Sequence, residues 1–287
     1  MNNLCGVAVF RNALTIDVED WYHVCGVEQN QPIPRSSWRV CGATERILTL
    51  LDEYGVKATF FVLGSVAAAE PELVKLIAAG GHEVASHGWS HSLIHQLTPD
   101  QFRAELVQTE EVIQAQSGCR PVGFRAPQWS VSGRTPWVHK ILAERGYLYD
   151  SSLSPLPFIG DRKGLRVPSR IAATAENMWE FPPLVTPTWF GNLPTGGGWG
   201  FRFFPAALVA HTIKRLNAAG QPAVLYLHPR DVDPHGPRLR LSPLQRFAAY
   251  GTRNSAVPRL RSLFERFRFT TLKELVTHDL LHTDPVI

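Results

Sequence analysis

The sequence has little of several features that would restrict its class. Cysteine is scarce: the 287 residues hold Cys5, Cys25, Cys41 and Cys119, and no two of them form a CxxC pair. Disulfide frameworks belong mainly to short secreted chains, so these thiols are predicted to be free. No segment approaches the roughly 20 apolar residues of a spanning helix, and no charged N-terminal stretch precedes an apolar run. These absences predict a protein without a membrane span, with the cytoplasm as its default location.

Charge excludes little by itself. The 29 Lys and Arg against 25 Asp and Glu give a net charge of +4, which is mild for a chain of this length. No recognisable nucleic-acid-binding motif accompanies this charge, so no nucleic-acid partner is expected.

Strand and helix patterns alternate along the chain. Apolar and β-branched runs predict strands at residues 13–18, 57–63, 82–85, 122–125, 147–152, 178–181 and 223–228. Helical apolar spacing lies between them, and residues 154–175 and 196–200 read as loops. The clearest helix spans 98–116, because Thr98, Pro99 and Gln101 form a capping-box pattern at its start.

Repeated strand–helix units predict an α/β protein with a parallel sheet. The length and strand count favour closure into a distorted (β/α) barrel of about seven strands. No linker or repeat divides the chain, so one domain is expected over residues 1–287, with a helical C-terminal extension from about residue 235.

Four polar clusters each follow a predicted strand. They are residues 17–20, 87–91, 125–129 and 228–231. In a β/α barrel the C-terminal ends of the strands converge on one face, where catalytic groups collect. We therefore expect the four clusters to meet in one site.

Two of these clusters suit a metal ion. His87 and His91 are separated by three residues, a spacing that lets two imidazoles reach one ion. Asp17, Glu19 and Asp20 place three acids within four residues, and a cation would relieve their mutual repulsion. Two histidines and one carboxylate leave coordination positions open for water and substrate. The plainer alternatives are a chance histidine spacing and a solvated acidic loop.

In order along the chain, these motifs resemble those of the NodB-type polysaccharide deacetylases, carbohydrate esterase family 4. The family's TFDDG motif corresponds to TIDVED at 15–20, its H-S/T-x-x-H motif to HGWSH at 87–91, its R-x-P-Y motif to RAPQ at 125–128, and its last apolar strand ending in His to LYLH at 225–228. The resemblance spans residues 13–228. DVEDWYH, HPRDVDP and RFRFTTLKEL further resemble the subgroup linked to exopolysaccharide loci.

The resemblance implies the NodB homology fold and a metal-dependent hydrolase that removes N-acetyl groups from an amino sugar. The expected partner is an N-acetylated polysaccharide, oligosaccharide or carrier-linked glycan. The expected cofactor is a divalent cation, Zn²⁺ first, with Co²⁺, Ni²⁺ or Mn²⁺ as other choices, and His87 and His91 would be its ligands.

The same resemblance implies a role for each remaining motif residue. Asp17 would be the general base, and Arg125 would hold it ionised and correctly aimed. His228 would be the general acid that protonates the departing amine, and Asp150 would keep His228 protonated. The backbone N–H near Gln128 would help to stabilise the oxyanion.

The sequence departs from the family pattern at three points. Val18 separates the two acids that are adjacent in TFDDG. Glu19 lies two residues from Asp17 and therefore on the same side of an extended chain. It is slightly favoured over Asp20 as the carboxylate ligand. Gln128 replaces the usual Tyr, which alters the expected substrate contacts. Gly88 stands where Ser or Thr is common.

Other features have two open interpretations. Trp129 and Trp199 are candidate sugar-stacking residues, although a core role for Trp129 and a plain mobile loop around Trp199 are alternatives. Nine Arg and only three acids lie between Arg230 and Arg268, either as a solvated face or as a rim that attracts anionic sugar polymers or diphosphate-linked sugars.

Two other functions compete with deacetylation. A cyclic amide or ureide hydrolase similar to the allantoinases would keep the fold and change the substrate. A non-catalytic carbohydrate-binding relative would keep the cleft and lack turnover.

Overall fold

The structure is a computed structural model, and it describes residues 10–24, 33–156, 159–160, 164–172, 178–252 and 254–280. Within these ranges strands and helices alternate, as the sequence pattern predicts. Cys41 and Cys119 are free thiols, whereas Cys5 and Cys25 lie outside the described residues.

The strands in chain order are β1 (Arg11–Val18), β2 (Thr59–Val62), β3 (Glu83–Ser86), β4 (Gly123–Phe124), β5 (Tyr149–Asp150), β6 (Ser169–Arg170), β7 (Trp179–Glu180), β8 (Thr186–Thr188), β9 (Gly191–Leu193), β10 (Val224–Leu227) and β11 (Arg268–Thr270). The helices are α1 (Val40–Glu53), α2 (Gly64–Ala69), α3 (Pro71–Ala79), α4 (Pro99–Ser117), α5 (Val138–Glu144), α6 (Gly198–Phe203), α7 (Ala206–Ala218), α8 (Pro243–Tyr250), α9 (Val257–Phe264) and α10 (Leu272–Glu274), the last continuing into a π-helical turn at Leu275–Leu280.

Nine of the described strands form one curled sheet, in the order β10-β1-β2-β3-β4-β5-β7-β6, with β11 also paired to β1. The pairs from β10 to β7 are parallel, and only β6 runs antiparallel to its neighbour. The two ends of this order are not paired in the part of the chain described, so the sheet is a half-barrel. The predicted α/β class with a distorted barrel is confirmed.

Side chains of the central strands alternate between two faces. Leu14, Ile16 and Val18 lie in the main apolar core with residues of α1, α3, α7 and α9, which defines the outer face. Ala13 lies in a second core with Phe61, which defines the inner face. Burying each large aliphatic or aromatic side chain contributes about 1.5–3 kcal/mol, so this alternation fixes the register strongly. Asp17 pairs in register with Phe61 and therefore belongs to the inner face.

Helix α4 begins as predicted. The Thr98 side chain accepts a hydrogen bond from the Gln101 N–H, the Gln101 side chain accepts one from the Thr98 N–H, and Pro99 occupies the first turn. Gly118 ends the helix with a φ of 76°, a left-handed conformation that favours glycine.

Several elements differ from the sequence-based expectation. The expected loop at 154–175 contains β6, which is too short to give a periodic pattern, and the expected loop at 196–200 leads into helix α6. The region beyond 235 is helical as expected, but it also supplies β11 to the sheet. Gly197 lies against β10 at a bridge to Tyr226, where a Cβ atom would stand 2.2 Å from the Tyr226 carbonyl oxygen. This close packing replaces the mobile loop that the glycines suggest.

Among the described helices, none combines the length and the apolar character that crossing a bilayer requires.

Candidate active site

The C-terminal ends of β10, β1, β3 and β4 lie at one edge of the sheet, because these strands run parallel. The polar clusters that follow them meet there. The structure brings together six of the predicted site residues, namely Asp17, Glu19, His87, His91, Arg125 and His228.

The centre of the site is a buried ion pair. Arg125 Nη1 donates to Asp17 Oδ1 at 2.7 Å and to Thr15 Oγ1 at 2.8 Å. Arg125 Nη2 donates to Ser151 Oγ at 2.7 Å, and the guanidinium lies 4.2 Å from the centre of the Phe61 ring. Arg125 is fully buried and Asp17 nearly so. The guanidinium is thus held on several sides, and one carboxylate oxygen of Asp17 is fixed by it.

Glu19, His87 and His91 form a compact donor set beside this pair. Each offers one ligand atom, and these atoms all lie within 4.8 Å of one another. His91 Nε2 is 2.6 Å from Glu19 Oε2. Two imidazole nitrogens and a carboxylate oxygen at this spacing fit a divalent cation such as Zn²⁺ and leave other positions open.

A backbone contact sets the tautomer of His87. Its Nδ1 lies 2.7 Å from the Arg125 carbonyl oxygen, which can only accept, so Nδ1 carries the proton and Nε2 offers its lone pair to the site. Burial, only partly offset by Asp17, lowers the pKa of His87 to about 4. The imidazole is therefore neutral near pH 7, as a metal ligand must be.

Glu19 is ionised although it is buried. Burial by itself would raise the pKa of Glu19, but Arg230, His91 and His228 outweigh it and hold that pKa well below its ordinary value. Arg230 Nη1 donates to Glu19 Oε1 at 2.6 Å, which leaves Oε2 on the side of His91.

The HGWSH turn has a left-handed backbone at two residues. Gly88 has a φ of 73° and His91 a φ of 62°. The positive φ at position 88 explains why Gly88 stands where the family pattern has Ser or Thr, because glycine adopts this φ without strain. The Glu105 carboxylate accepts from the N–H groups of Trp89 and Ser90 and holds the turn in place.

His228 stands opposite the donor set. Its Nε2 is 3.9 Å from Asp17 Oδ2 and 3.5 Å from Glu19 Oε1. On its other side, Nδ1 is 3.4 Å from Asp231 Oδ2, which also accepts from the His228 backbone N–H at 2.8 Å. Arg202 lies 3.0 Å from Asp231; burial would raise the pKa of Asp231, but Arg202 and His228 lower it overall. An ionised carboxylate thus orients the imidazole.

Asp150 does not hold this position, contrary to the expectation from the sequence. It follows Tyr149, whose ring lies on the inner face near Phe61, so its own side chain points to the outer face. There its carboxylate contacts His139 Nε2 at 3.0 Å and accepts from the Ser151 N–H. The acid that contacts His228 is Asp231.

Asp20 lies outside the donor set, to which Glu19 belongs. The Asp20 carboxylate accepts from the N–H groups of Trp21, Arg39 and Val40. Two of these donors begin α1, so Asp20 caps that helix from outside it.

The three predicted substrate contacts divide into two groups. Gln128 ends the RAPQ motif and Trp129 follows it, with φ values of 56° and 50°, a strained conformation for residues other than glycine. The Trp129 ring lies 4.6 Å from Tyr226, whose ring lies 5.8 Å from that of His228. Trp199 instead packs with three phenylalanines of the α6–α8 region, Phe203, Phe204 and Phe247.

Sequence reasoning missed three charged residues of the site. Arg230 and Asp231 lie two and three residues after His228 in the HPRD cluster, and their position was the available signal. Arg202 lies 29 positions before Asp231 on α6, and no local pattern marks it.

Two family models match consecutive parts of the chain. Residues 38–148 match the polysaccharide deacetylase family. Residues 151–277 match a domain family of unknown function, DUF3473. The first range contains His87, His91 and Arg125, and the second contains His228 and Asp231. Asp17 and Glu19 precede both ranges, so the site combines three segments of the chain.

Two curated relatives with similar sequences are named as deacetylases. A peptidoglycan-N-acetylglucosamine deacetylase of Bacillus cereus is 38% identical over 84 residues, covering 29% of this chain and 30% of that protein. A peptidoglycan deacetylase of Helicobacter pylori is 35% identical over 108 residues, covering 38% of this chain and 36% of that protein. The match thus spans about a third of each relative's length.

Solved structures extend the similarity over most of the chain. A candidate polysaccharide deacetylase from Mycobacterium smegmatis superposes with a TM-score of 0.60 at 25% identity, covering 85% of this chain and 82% of that one. An allantoinase superposes with a TM-score of 0.61 at 18% identity, covering 92% and 88%, and this likeness concerns the fold alone.

Proposed function

We propose that this chain is a metal-dependent carbohydrate N-deacetylase, which hydrolyses the acetamide of an N-acetylated amino sugar. The observation that carries the proposal is the buried Asp17–Arg125 pair, which lies beside the Glu19–His87–His91 donor set and faces His228. An amide needs an activated nucleophile, stabilisation of the carbonyl oxygen and a proton for a poor leaving group. The groups in this pocket suit each requirement.

A divalent cation held by Glu19, His87 and His91 would supply Lewis acidity, which polarises a carbonyl group and acidifies water. Asp17 is the proposed general base. Because Arg125 occupies Oδ1, the second oxygen Oδ2 is available to take the proton of the attacking water. By holding Oδ1, Arg125 also prevents the Asp17 carboxylate from rotating and moving Oδ2 out of the site.

His228 is the proposed general acid. Its Nδ1 proton is directed to Asp231, and its Nε2 lies on the side of Asp17 and Glu19, where it can donate a proton to the departing amine. The paired Asp231 fixes the ring, as a carboxylate does for a catalytic histidine. The backbone N–H near Gln128 is the proposed oxyanion donor, and Gln128 and Trp129 are the proposed sugar contacts.

The substrate proposed is a glycan of the exopolysaccharide type, as a polymer, an oligosaccharide or a carrier-linked intermediate. The DVED motif and the HPRDVDP segment support this choice, since they resemble the subgroup linked to exopolysaccharide loci. Zn²⁺ is the proposed cation, one domain the proposed organisation, and the cytoplasm the proposed location.

Acetate release from N-acetylglucosamine and N-acetylgalactosamine oligomers tests the proposal. The purified chain should release acetate, lose this activity to a chelator and recover it with Zn²⁺. Ring opening of a cyclic ureide without acetate release would instead favour the amide-hydrolase alternative. Glycan binding without either reaction would identify a non-catalytic relative.

A further inference from the structure

A second group of ligand-type side chains lies on the outer face of the sheet. His139 of α5, Asp150 of β5 and Glu180 of β7 each offer one ligand atom, and these atoms all lie within 4.8 Å of one another. Asp150 and Glu180 are register partners on adjacent parallel strands, so both project from the same face. His139 reaches them from the covering helix, with Nε2 at 3.0 Å from Asp150 Oδ2.

In each carboxylate of this group, hydrogen bonds to one oxygen orient the side chain. Asp150 Oδ1 accepts from the Ser151 N–H and from the Ser152 hydroxyl. Glu180 Oε1 accepts from the Leu153 N–H at 2.9 Å. Glu180 Oε2 is buried and has no hydrogen-bond partner among the described residues. Carboxylates in metal sites are oriented in this way: one oxygen accepts hydrogen bonds from the protein, and the other contacts the ion.

Asp150 forms its salt bridge with His139, and among the described residues no Lys or Arg forms one with either carboxylate of the group. Asp150 is fully buried and Glu180 is only 2% exposed. Arg125 is the nearby guanidinium, and its hydrogen bonds go to Asp17, Thr15 and the Ser151 hydroxyl and carbonyl. Two buried carboxylates beside a histidine need either a cation or a shared proton between them.

We propose that His139, Asp150 and Glu180 bind a second divalent cation, of the class of Zn²⁺ or Mn²⁺. One imidazole nitrogen and two carboxylate oxygens are ligands that such ions accept. The His139 side chain is 18% exposed and gives the ion a route from solvent. Because this site and Asp17 lie on opposite faces of the sheet, the role of the ion is structural.

The cation would tie α5 to β5 and β7, next to the turn whose Ser151 contacts Arg125. The turn that follows Asp150 supplies Ser151, which binds Arg125, and Ser152, whose hydroxyl accepts from the Ala126 N–H. Holding Asp150 therefore also holds the two serines that position the Arg125 motif.

Metal analysis in a background without the proposed catalytic site tests this inference. The His87→Ala/His91→Ala variant is stripped with chelator, dialysed against Zn²⁺ or Mn²⁺, and measured by plasma mass spectrometry. We expect about one cation per chain, and a loss of at least ten-fold in occupancy when Glu180→Gln is added. Glu83→Gln is the matched control, a half-buried carboxylate that accepts hydrogen bonds from Thr59 and Tyr149, and it should leave the occupancy unchanged.

Thermal unfolding provides the second measurement. Chelator should lower the Tm of the His87→Ala/His91→Ala variant by several degrees and leave the Glu180→Gln form unaffected. If the Glu180→Gln variant does not fold, the His139→Ala variant is used in its place, because His139 is the more exposed ligand. The same loss of cation occupancy is expected. A His87→Ala/His91→Ala protein that takes up neither ion overturns the inference and indicates that the carboxylates share a proton. That result would leave the proposed deacetylase unaffected, because activity is not measured.

Discussion

Arg125 Nη1 lies 2.7 Å from Asp17 Oδ1, and both side chains are buried at the C-terminal edge of the sheet. The two residues come from β1 and from the turn after β4, and they are 108 positions apart in sequence. Their contact leaves one carboxylate oxygen of Asp17 directed into the site. The proposed chemistry depends on this contact.

Asp17→Asn should reduce acetate release by about 10²–10⁴-fold, the usual contribution of a general base. The amide is nearly isosteric, so folding should be retained, which circular dichroism would check. Asp52→Asn on the exposed side of α1 is the control and should behave like wild type. Unchanged acetate release by Asp17→Asn would contradict the proposed mechanism.

Arg125→Met should lower the free energy of unfolding by about 3–5 kcal/mol, because it leaves the Asp17 carboxylate buried without its partner. Urea denaturation measures this loss. Adding Asp17→Asn to Arg125→Met should restore part of it by removing the unpaired charge. Strictly additive losses in the two single variants and the double variant would show that the pair is not coupled.

Asp231→Asn should lower kcat by about 10²-fold or more with little change in KM, because His228 loses the carboxylate that orients it. The pH profile of kcat should also move, because the Asp231 carboxylate no longer faces Nδ1 of His228. Asp233→Asn, two residues further on and paired with Arg39 and Arg46, is the matched control. A profile that moves equally in both variants would argue against a specific role for Asp231.

Glu19→Gln should weaken cation affinity by at least about 10–100-fold, the loss usual for a residue that only supports a ligand, whereas Asp20→Asn should leave it unchanged. Asp20→Asn should instead lower stability by about 0.5–2 kcal/mol, because the carboxylate caps the start of α1. Isothermal titration with Zn²⁺ and urea denaturation separate the two effects. Equal affinity losses in the two variants would mean that Asp20 also contacts the ion.

Stability of the cation-free protein should fall as the pH drops from about 6.5 towards 4. The pKa of buried His87 is lowered to about 4, so over this range the unfolded chain binds a proton that the folded chain does not. The loss due to His87 should be about 1–3 kcal/mol, at 1.36 kcal/mol per pKa unit. His87→Gln should flatten this part of the stability–pH curve, whereas the exposed control His95→Gln should not. Parallel curves for all three proteins would contradict the expectation.

The main helices and strands, and the edge of the sheet where the candidate site lies, could be predicted from the sequence because their signals are local. Thr98, Pro99 and Gln101 mark a helix start through contacts within one turn. His87 and His91 share one turn, and Asp17 follows an apolar strand. Short strands such as β6 and β11 were missed, since two or three residues carry no periodicity and pair only because the sheet is already formed.

The amino-acid order alone was enough for the α/β alternation and the distorted-barrel class, and it supplied the candidate residues of the site. The folded arrangement was needed to choose between acids of the same type. Asp150 was the wrong partner for His228 because it projects from the opposite face to Tyr149, and Asp231 became the partner because Arg202 and His228 hold it beside the imidazole. Such choices depend on which face each side chain occupies and on contacts between distant segments, and no local pattern encodes either.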